Sequence, residues 1–433
     1  MHKYIKINGG NELSGTLRIS GAKNSVLALM IASTLTNEVI NLEDVPEIKD
    51  VKDLITILKQ LNSNVILANK CLAIDNEKLE YRDLLIDEVT SFRASYYFMG
   101  AFISRFKKCK LYLPGGCYLG PRPIDLHIMG FKNLGCDVKI IENDQKTIVD
   151  ITCPNGLIGN EIFLDFPSVG ATINLMLAAV MAEGETKIEN AAKEPEIVDV
   201  ATLLNNMGAK ITGAGTDEIR IIGVEKLNGT LHQVVPDRIE AGTYLMISVL
   251  LGNDIYLENI IPDHLEALCS KLKEIGFKFE IKEESIYVPK NNLEELKEVD
   301  IRTGVFPSFP TDLQQIFLTL TTQLNGTSNI LETIYPERFK QCKYLQDMGA
   351  NINLELGEIT SKAEIKGKTT LIGKTTKATD LRAGASLILA GLLAQGETKI
   401  YNIEHILRGY DNLIEKLTNI GAEIYLCEEN NEW

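Results

Sequence analysis

Several side chains in this sequence stand where they could act on an anion. Lys23 (in Ser20-Gly21-Ala22-Lys23-Asn24), Arg93 (in Ser91-Phe92-Arg93-Ala94-Ser95) and Arg382 (in Thr379-Asp380-Leu381-Arg382) each fall near an expected helix start. Capping explains Ser20, Thr311 and Thr379 at such places. It does not explain the cations, which oppose the helix dipole there. A cation beside several free N–H groups makes an anion pocket. Asp312, in Pro310-Thr311-Asp312, is the acid of the same loop set. A second loop set contains Leu113–Pro123, in which three glycines and three prolines surround Cys117 and Arg122. That composition suits a shaped strand exit, and an exposed cysteine five residues from an arginine has a route to its thiolate. Arg338 and Arg408 follow in later copies of this loop. Singly, each feature has an ordinary explanation: a cap, a solvated arginine, an inert thiol. Their recurrence in equivalent loops of a repeat does not.

The elements that position these loops form six copies of one module. Helix-like runs end at Leu61, Leu134, Met207, Ile275, Met348 and Ile420, followed by Gly-Ala or a variant and a β-rich stretch. Glycine is expected just past a helix end, where the chain needs positive φ. Each copy reads helix, strand, helix, strand, strand. Its period, about 70 residues, is too long for a simple solenoid and implies compact α/β modules. The N-terminal Ile7-Asn8-Gly9 and Leu13–Leu17 resemble the segment 222–231 that closes the third copy, whereas the sixth copy lacks a closing pair. The first ~20 residues are therefore expected to complete the sixth module. The expected domains are 1–22 plus 236–433, and 23–235, which carries the cysteine loop. Two connections make a hinge, and the cleft between domains is the expected ligand site.

With 433 residues, the chain is long enough for two domains. A net charge of −15 disfavours nucleic acid or an anionic membrane as main partner. No apolar run approaches a membrane span, and the N-terminus lacks the apolar core of a secretory signal. Eight cysteines without a CxxC pair suit a reducing compartment, most as core fillers. Five scattered histidines give no metal-ligand cluster, so no metal site is expected.

The segments 20–24, 92–95, Leu113–Pro123, Glu189–Asp199, 310–312, 378–383 and Arg408-Gly409-Tyr410 resemble, in order and along the whole chain, the UDP-N-acetylglucosamine 1-carboxyvinyltransferases of the enolpyruvyl transferase family. The cysteine loop and Ala22-Lys23-Asn24 are the specific ones. The resemblance implies an α/β fold of two inside-out barrel domains, each of three repeated βαβαββ-type modules. It implies transfer of the enolpyruvyl group of phosphoenolpyruvate to the 3-hydroxyl of UDP-N-acetylglucosamine. Phosphate leaves by addition and elimination through a tetrahedral adduct, with no metal or other cofactor. This would be the first committed step of peptidoglycan synthesis, a cytoplasmic step serving cell wall biogenesis, cell shape and cell division, and the target of fosfomycin. By the same resemblance Lys23, Asn24, Arg122 and Arg408 bind phosphoenolpyruvate, and Cys117 is its proton donor or covalent partner. Asp312 sits at the sugar hydroxyl as orienting group or general base. Arg93, Arg122, Pro123, Ile124, Asp125, Leu126, Ser168, Val169, Gly170, Asp312 and Ile334 contact the nucleotide sugar. Arg338, Asp380 and Arg382 are further charged cleft residues. Two departures from the family pattern are Phe166, where some members carry a basic contact, and Leu407, which replaces an acid. The shikimate-3-phosphate enolpyruvyl transferases share fold and donor, but have Gly-Asn-Ala-Gly-Thr where this chain has Ser-Phe-Arg-Ala-Ser. An inactive UDP-sugar-sensing paralogue would be expected to lose Lys23, Cys117 or Arg408, and all three are present.

Overall fold

Six apolar runs in the sequence become six enclosed helices. A computed structural model describes residues 2–113, 124–142 and 146–429. The helices are α1 (Lys23–Ala32), α2 (Tyr97–Phe106), α3 (Val169–Ala179), α4 (Arg238–Leu251), α5 (Thr311–Thr321) and α6 (Leu381–Leu393). Every residue of α4 from Ile239 to Leu250, and of α6 from Arg382 to Leu392, is buried. A helix apolar all the way round must be surrounded by other structure. The second helix of each module is amphipathic instead. In Lys49–Gln60 the buried residues are Asp50, Val51, Leu54, Ile57 and Leu58, one stripe at helical spacing. The corner after it turns as expected: Gly135, Gly208, Gly276, Gly349 and Gly421 have φ of 91°, 104°, 110°, 109° and 102°, and Asn62 stands in for glycine with φ 67°.

Two compact units result. The segment through Ser20 and the chain from Pro236 onward form one, and Gly21 through Val235 form the other, taken over the described residues. Each has its own hydrophobic core. Inside the first, α5 packs along α6 and against α4; inside the second, α2 packs along α3. The sheets lie around these helices, so each unit is an α/β barrel turned inside out.

Strand exchange closes each ring. The last strand of a module leaves its own sheet and runs parallel to the inner strand of another. Glu161–Phe163 joins Glu185–Glu189, and Thr230–Gln233 joins Ile40–Glu43, returning the third module to the first. In the other unit Ile301–Arg302 joins Gly326–Glu332, and Thr375–Lys377 joins Glu397–Tyr401. The N-terminal residues were expected to complete the sixth module as a pair, and here the structure differs. His2–Asn8 does so, lying antiparallel between Glu397–Tyr401 and Glu423–Glu429. Leu13–Arg18 instead pairs parallel with Gly252–Glu258 of the fourth. The pair splits because one of its strands must close the ring.

Ser20, the last residue of the N-terminal segment, is fastened by a buried polar cluster. Its N–H donates to Glu240 Oε2 at 2.8 Å and its hydroxyl donates to Asp411 Oδ2 at 2.9 Å. Lys416 Nζ lies 2.5 Å from Glu240 Oε1. Burial pushes the Glu240 carboxyl up to about 7, and Lys416 offsets only part of that. The folded carboxyl thus keeps its proton up to about pH 7, whereas the unfolded one releases it near 4.5. Between those values the native state binds more protons, so this group's contribution to stability falls as pH rises. Denaturant unfolding across that window should show the wild type losing stability relative to Glu240→Gln with rising pH. A pH-independent difference would contradict the assignment.

Candidate functional site

In the unit holding both chain ends, the three inner helices present their N-termini with charged residues in the first turn. Asp237 caps α4, accepting from the N–H of Ile239 at 2.8 Å and of Glu240 at 3.1 Å. Asp380 caps α6, accepting from Arg382 at 2.9 Å and Ala383 at 3.0 Å. Helix α5 has no side-chain cap, and Thr311 and Asp312 are its first two residues. A carboxylate in that position is favoured by the positive end of the dipole.

Asp312 gathers the arginines. Its Oδ1 is 2.6 Å from Arg338 Nη1, and its Oδ2 accepts from Arg382 Nη2 at 3.2 Å. Both guanidiniums are buried, while a quarter of the Asp312 side chain is exposed. Arg338 also donates to Thr311 Oγ1 at 3.0 Å, and Arg382 to the Tyr410 hydroxyl at 3.4 Å. Burial alone would raise the Asp312 pKa. The charges of Arg338, Arg382 and, further off, Arg238 overcome it and hold the carboxyl well below the usual carboxylate range. The group is therefore a fixed anion with one face open, able to accept a hydrogen bond from a hydroxyl but a poor base. Arg382 was read as part of an anion pocket. Its charge is instead met within the protein by Asp312, and the N–H groups beside it are taken by Asp380.

The other unit assembles a second set of residues. Lys23 opens α1 with its Nζ 2.9 Å from the buried Asp50 carboxylate. Asn24 beside it is exposed. Arg93 starts a short 3-10 turn before α2, its guanidinium 5.5 Å from the Tyr96 ring centre. Tyr96 meets His127 edge-on at 5.0 Å. His127 lies in the helix Asp125–Asn133, which follows directly on Ile124 and whose first two residues are Asp125 and Leu126. Asn174 of α3 joins these elements, donating to His127 Nδ1 at 2.9 Å and to the Tyr96 carbonyl at 3.2 Å, and accepting from Gly100 N–H at 2.9 Å. Ser168 caps α3, accepting from Ala171 N–H at 3.3 Å, and Val169 and Gly170 follow it. A Cβ on Gly170 would come within 2.4 Å of the Tyr96 hydroxyl and 3.2 Å of His127, so the packing requires glycine there.

Within each unit, then, some of the sequence-marked residues are brought together: Asp312, Arg338 and Arg382 in one, Arg93 with 124–126 and 168–170 in the other, whereas Lys23 pairs with Asp50. Asp380 is a helix cap, Ile334 lies in the loop before Arg338, and Arg408 ends the short helix Glu404–Leu407, half-buried. Phe166 is largely exposed. Cys117, Arg122 and Pro123 lie outside the described residues. The caps differ from expectation: Ser168, Asp237 and Asp380 serve, while Ser20 binds Asp411, Thr311 is inside its helix, and Thr379 bonds Asp380. Asp50, His127, Asn174 and Glu332, which accepts from the Thr311 hydroxyl, carry the support and were not singled out in the sequence, where only the buried position of Asp50 on an amphipathic stripe leaves a trace; Tyr410, behind Arg382, was marked there within Arg408-Gly409-Tyr410. Cys136 and Cys153 form a disulfide, unlike the core-filling role expected of most cysteines. Among the described residues no group of three or more His, Cys, Asp or Glu is placed to hold a metal ion, and no helix is long and apolar enough to cross a membrane.

Comparisons with known proteins bear on this geometry. The family described as EPSP synthase (3-phosphoshikimate 1-carboxyvinyltransferase) matches residues 7–417. The chain is 51% identical over 424 residues, 98% of each protein, to UDP-N-acetylglucosamine 1-carboxyvinyltransferase 2 of Listeria monocytogenes. It is 50% identical over 423 residues, again 98% of each, to the Staphylococcus aureus protein of that name. Among solved structures, the enolpyruvyl transferase NikO from Streptomyces tendae superposes with a TM-score of 0.86 at 23% identity, covering 98% of this chain and 99% of that one. An EPSP synthase from Acinetobacter baumannii gives 0.72 at 18%, covering 98% and 100%. These two structures bear on the fold alone.

The His127 ring yields a direct check. Burial, with a smaller push from Arg93, lowers its pKa to about 3. Its imidazole should stay neutral in an NMR titration from about pH 8 down to about pH 5, where a free histidine gains its proton. A midpoint near the ordinary value of 6.5 would mean that the Tyr96–His127–Asn174 packing is not as described.

Proposed function

This chain belongs to the EPSP synthase (3-phosphoshikimate 1-carboxyvinyltransferase) family of enolpyruvyl transferases, and we propose that within it the protein transfers the enolpyruvyl group of phosphoenolpyruvate to the 3-hydroxyl of UDP-N-acetylglucosamine, releasing phosphate. What carries the reading is likeness along nearly the whole chain to curated relatives that bear that transferase's name. The product would be the first committed precursor of peptidoglycan, which ties the enzyme to cell wall biogenesis, cell shape and cell division. The reading puts it in the cytoplasm, with two small-molecule substrates and no nucleic acid or membrane partner.

Roles follow from chemistry. The 3-hydroxyl must be aligned and relieved of its proton as it adds to the phosphate-bearing enol carbon of phosphoenolpyruvate. Asp312, fixed by Arg338 and Arg382, accepts that hydroxyl's hydrogen bond and orients its oxygen. Because the two arginines weaken it as a base, orientation dominates and full proton transfer belongs late in C–O bond formation. Lys23, Arg122 and Arg408 would neutralise the phosphate and carboxylate of phosphoenolpyruvate, and Asn24 would contact the reacting adduct, through interactions that strengthen as charge redistributes. Lys23 comes to this task already aimed, since Asp50 holds its ammonium. Cys117 supplies the proton that the methylene carbon gains on addition, and is the group fosfomycin would alkylate. Arg93, Arg122, Pro123, the first residues of the helix Asp125–Asn133, residues 168–170 and Ile334 would take the nucleotide, with helix α3 turning its N-terminal N–H groups to the diphosphate.

The family's own description names the shikimate reaction, so acceptor identity is the point to test. Phosphate release from phosphoenolpyruvate should depend on UDP-N-acetylglucosamine, with no release when shikimate 3-phosphate replaces it. Cys117→Ala should lower that release by roughly 10²–10⁴-fold. Release with shikimate 3-phosphate alone would overturn the reading.

A further inference from the structure

In five of the six modules the position two places beyond the inner strand's last buried apolar side chain is an Asp, Asn or Glu. In four of the five this residue turns into the left-handed region: Asp44 (φ 56°), Asn190 (φ 53°), Asn259 (φ 60°) and Asn402 (φ 57°). Three of these side chains tie back to the neighbouring strand, donating to the carbonyls of Leu164 and Ile19 at 2.7 Å and of Ala378 at 3.5 Å. The fifth module departs from this. Its inner strand Gly326–Glu332 continues one residue further, buried on alternate residues Ser328, Ile330 and Glu332. A carboxylate therefore points inward where its counterparts turn the chain away.

Glu332 is fully buried, yet its charge is surrounded by donors. Oε1 accepts from the N–H of Ile334 at 2.8 Å, the N–H of Tyr335 at 2.9 Å and the Thr303 hydroxyl at 2.9 Å. Oε2 accepts from the Thr311 hydroxyl at 3.0 Å. With its hydroxyl hydrogen directed to Glu332, Thr311 accepts from Arg338 Nη1 at 3.0 Å, and the same nitrogen reaches Asp312 at 2.6 Å. A chain of hydrogen bonds thus links Glu332, Thr311, Arg338 and Asp312, with Arg338 donating toward both carboxylates, to one directly and to the other through the Thr311 hydroxyl. It joins three elements: the end of the inner strand, the loop 333–338, and the first turn of α5. Burying a carboxylate is costly unless its oxygens are satisfied, and this one accepts from four donors, two of them backbone N–H groups of the loop.

We propose that Glu332 is a positioning residue for the acceptor: it sets the loop bearing Ile334 and Arg338 against the helix start bearing Asp312, and so fixes where the sugar hydroxyl is received. This rests on the function proposed above. It assigns Glu332 no contact with substrate. A neutral amide at this position would turn an N–H₂ group toward donors and release at least one of them, loosening the loop. The residues that reading gives to phosphoenolpyruvate are carried on other elements, so the effect falls on the acceptor.

The test pairs hydrogen exchange with kinetics on Glu332→Gln in the full-length chain. The amides of Ile334 and Tyr335 should exchange at least about tenfold faster than in the wild type, while core-strand amides do not change. KM for UDP-N-acetylglucosamine should rise by roughly 10–100-fold, KM for phosphoenolpyruvate should stay within about twofold, and Glu332→Asp should recover part of the loss. Unchanged exchange at 334 and 335, or a folded variant in which both KM values move together, overturns the inference. If Glu332→Gln does not fold, Thr303→Val removes a single donor to the same oxygen and should shift exchange and acceptor KM in the same direction; no shift overturns it equally. A wild type that releases no phosphate with UDP-N-acetylglucosamine would defeat the functional reading instead, and the exchange result would still decide the positioning role.

Discussion

Two guanidiniums and one carboxylate share the mouth of the inner helices in the unit built from both chain ends, and the rest of that unit is arranged to keep them together. Arg338 and Arg382 are buried, and neither could remain so without Asp312 between them. Removing one partner from a buried charge set typically costs about 3–5 kcal/mol, because the others are left uncompensated. The arrangement explains why the helix starts carry the residues they do. Asp312 suits the positive end of α5, whereas Arg382 at the start of α6 is unfavourable alone and tolerable only beside a carboxylate. It also explains what the site can do. A carboxylate held between two cations keeps its negative charge and its direction across the physiological range, which is what orienting a sugar hydroxyl requires.

The repeated scaffold makes such a cluster inexpensive in sequence. Each ring of three modules brings three inner-helix N-termini to one end, and strand exchange between modules locks their order. One unit uses those ends for the acid and its arginines. The other uses them for Lys23 with Asp50, for Arg93 on the Tyr96 ring, and for the Ser168–Gly170 turn against His127. Small departures from the repeat then carry specificity. The fifth module replaces a left-handed Asp or Asn by an inward Glu332, and in doing so ties a loop to the helix that bears Asp312.

Much of this is visible in the amino-acid order. The Gly corners announce both the repeat and its left-handed turns, because few other residues accept that backbone. The apolar runs without a polar face announce enclosed helices. Cations at helix starts marked Lys23, Arg93 and Arg382 as residues that capping cannot explain. What stays hidden is pairing. That Asp312 holds Arg338 and Arg382 together, across sequence separations of 26 and 70 residues, follows only from ring closure. Glu332 reads as one more strand-end polar residue until the register is known, since a shift of one place reverses which side chains face the core. The N-terminal strand pair reads as a unit because it matches a closing pair elsewhere, and splits because each ring must be closed by a strand from another module. Cys136 and Cys153 meet because a helix corner and a strand end lie side by side, a contact no spacing rule announces.

The most direct test of the central claim is a crystal structure of the chain with UDP-N-acetylglucosamine bound. The account predicts the sugar 3-hydroxyl oxygen within about 2.6–3.2 Å of the Asp312 carboxylate, with Arg338 and Arg382 still paired to it. A nucleotide sugar bound with that hydroxyl more than about 4 Å from Asp312, outside hydrogen-bond reach, would contradict it.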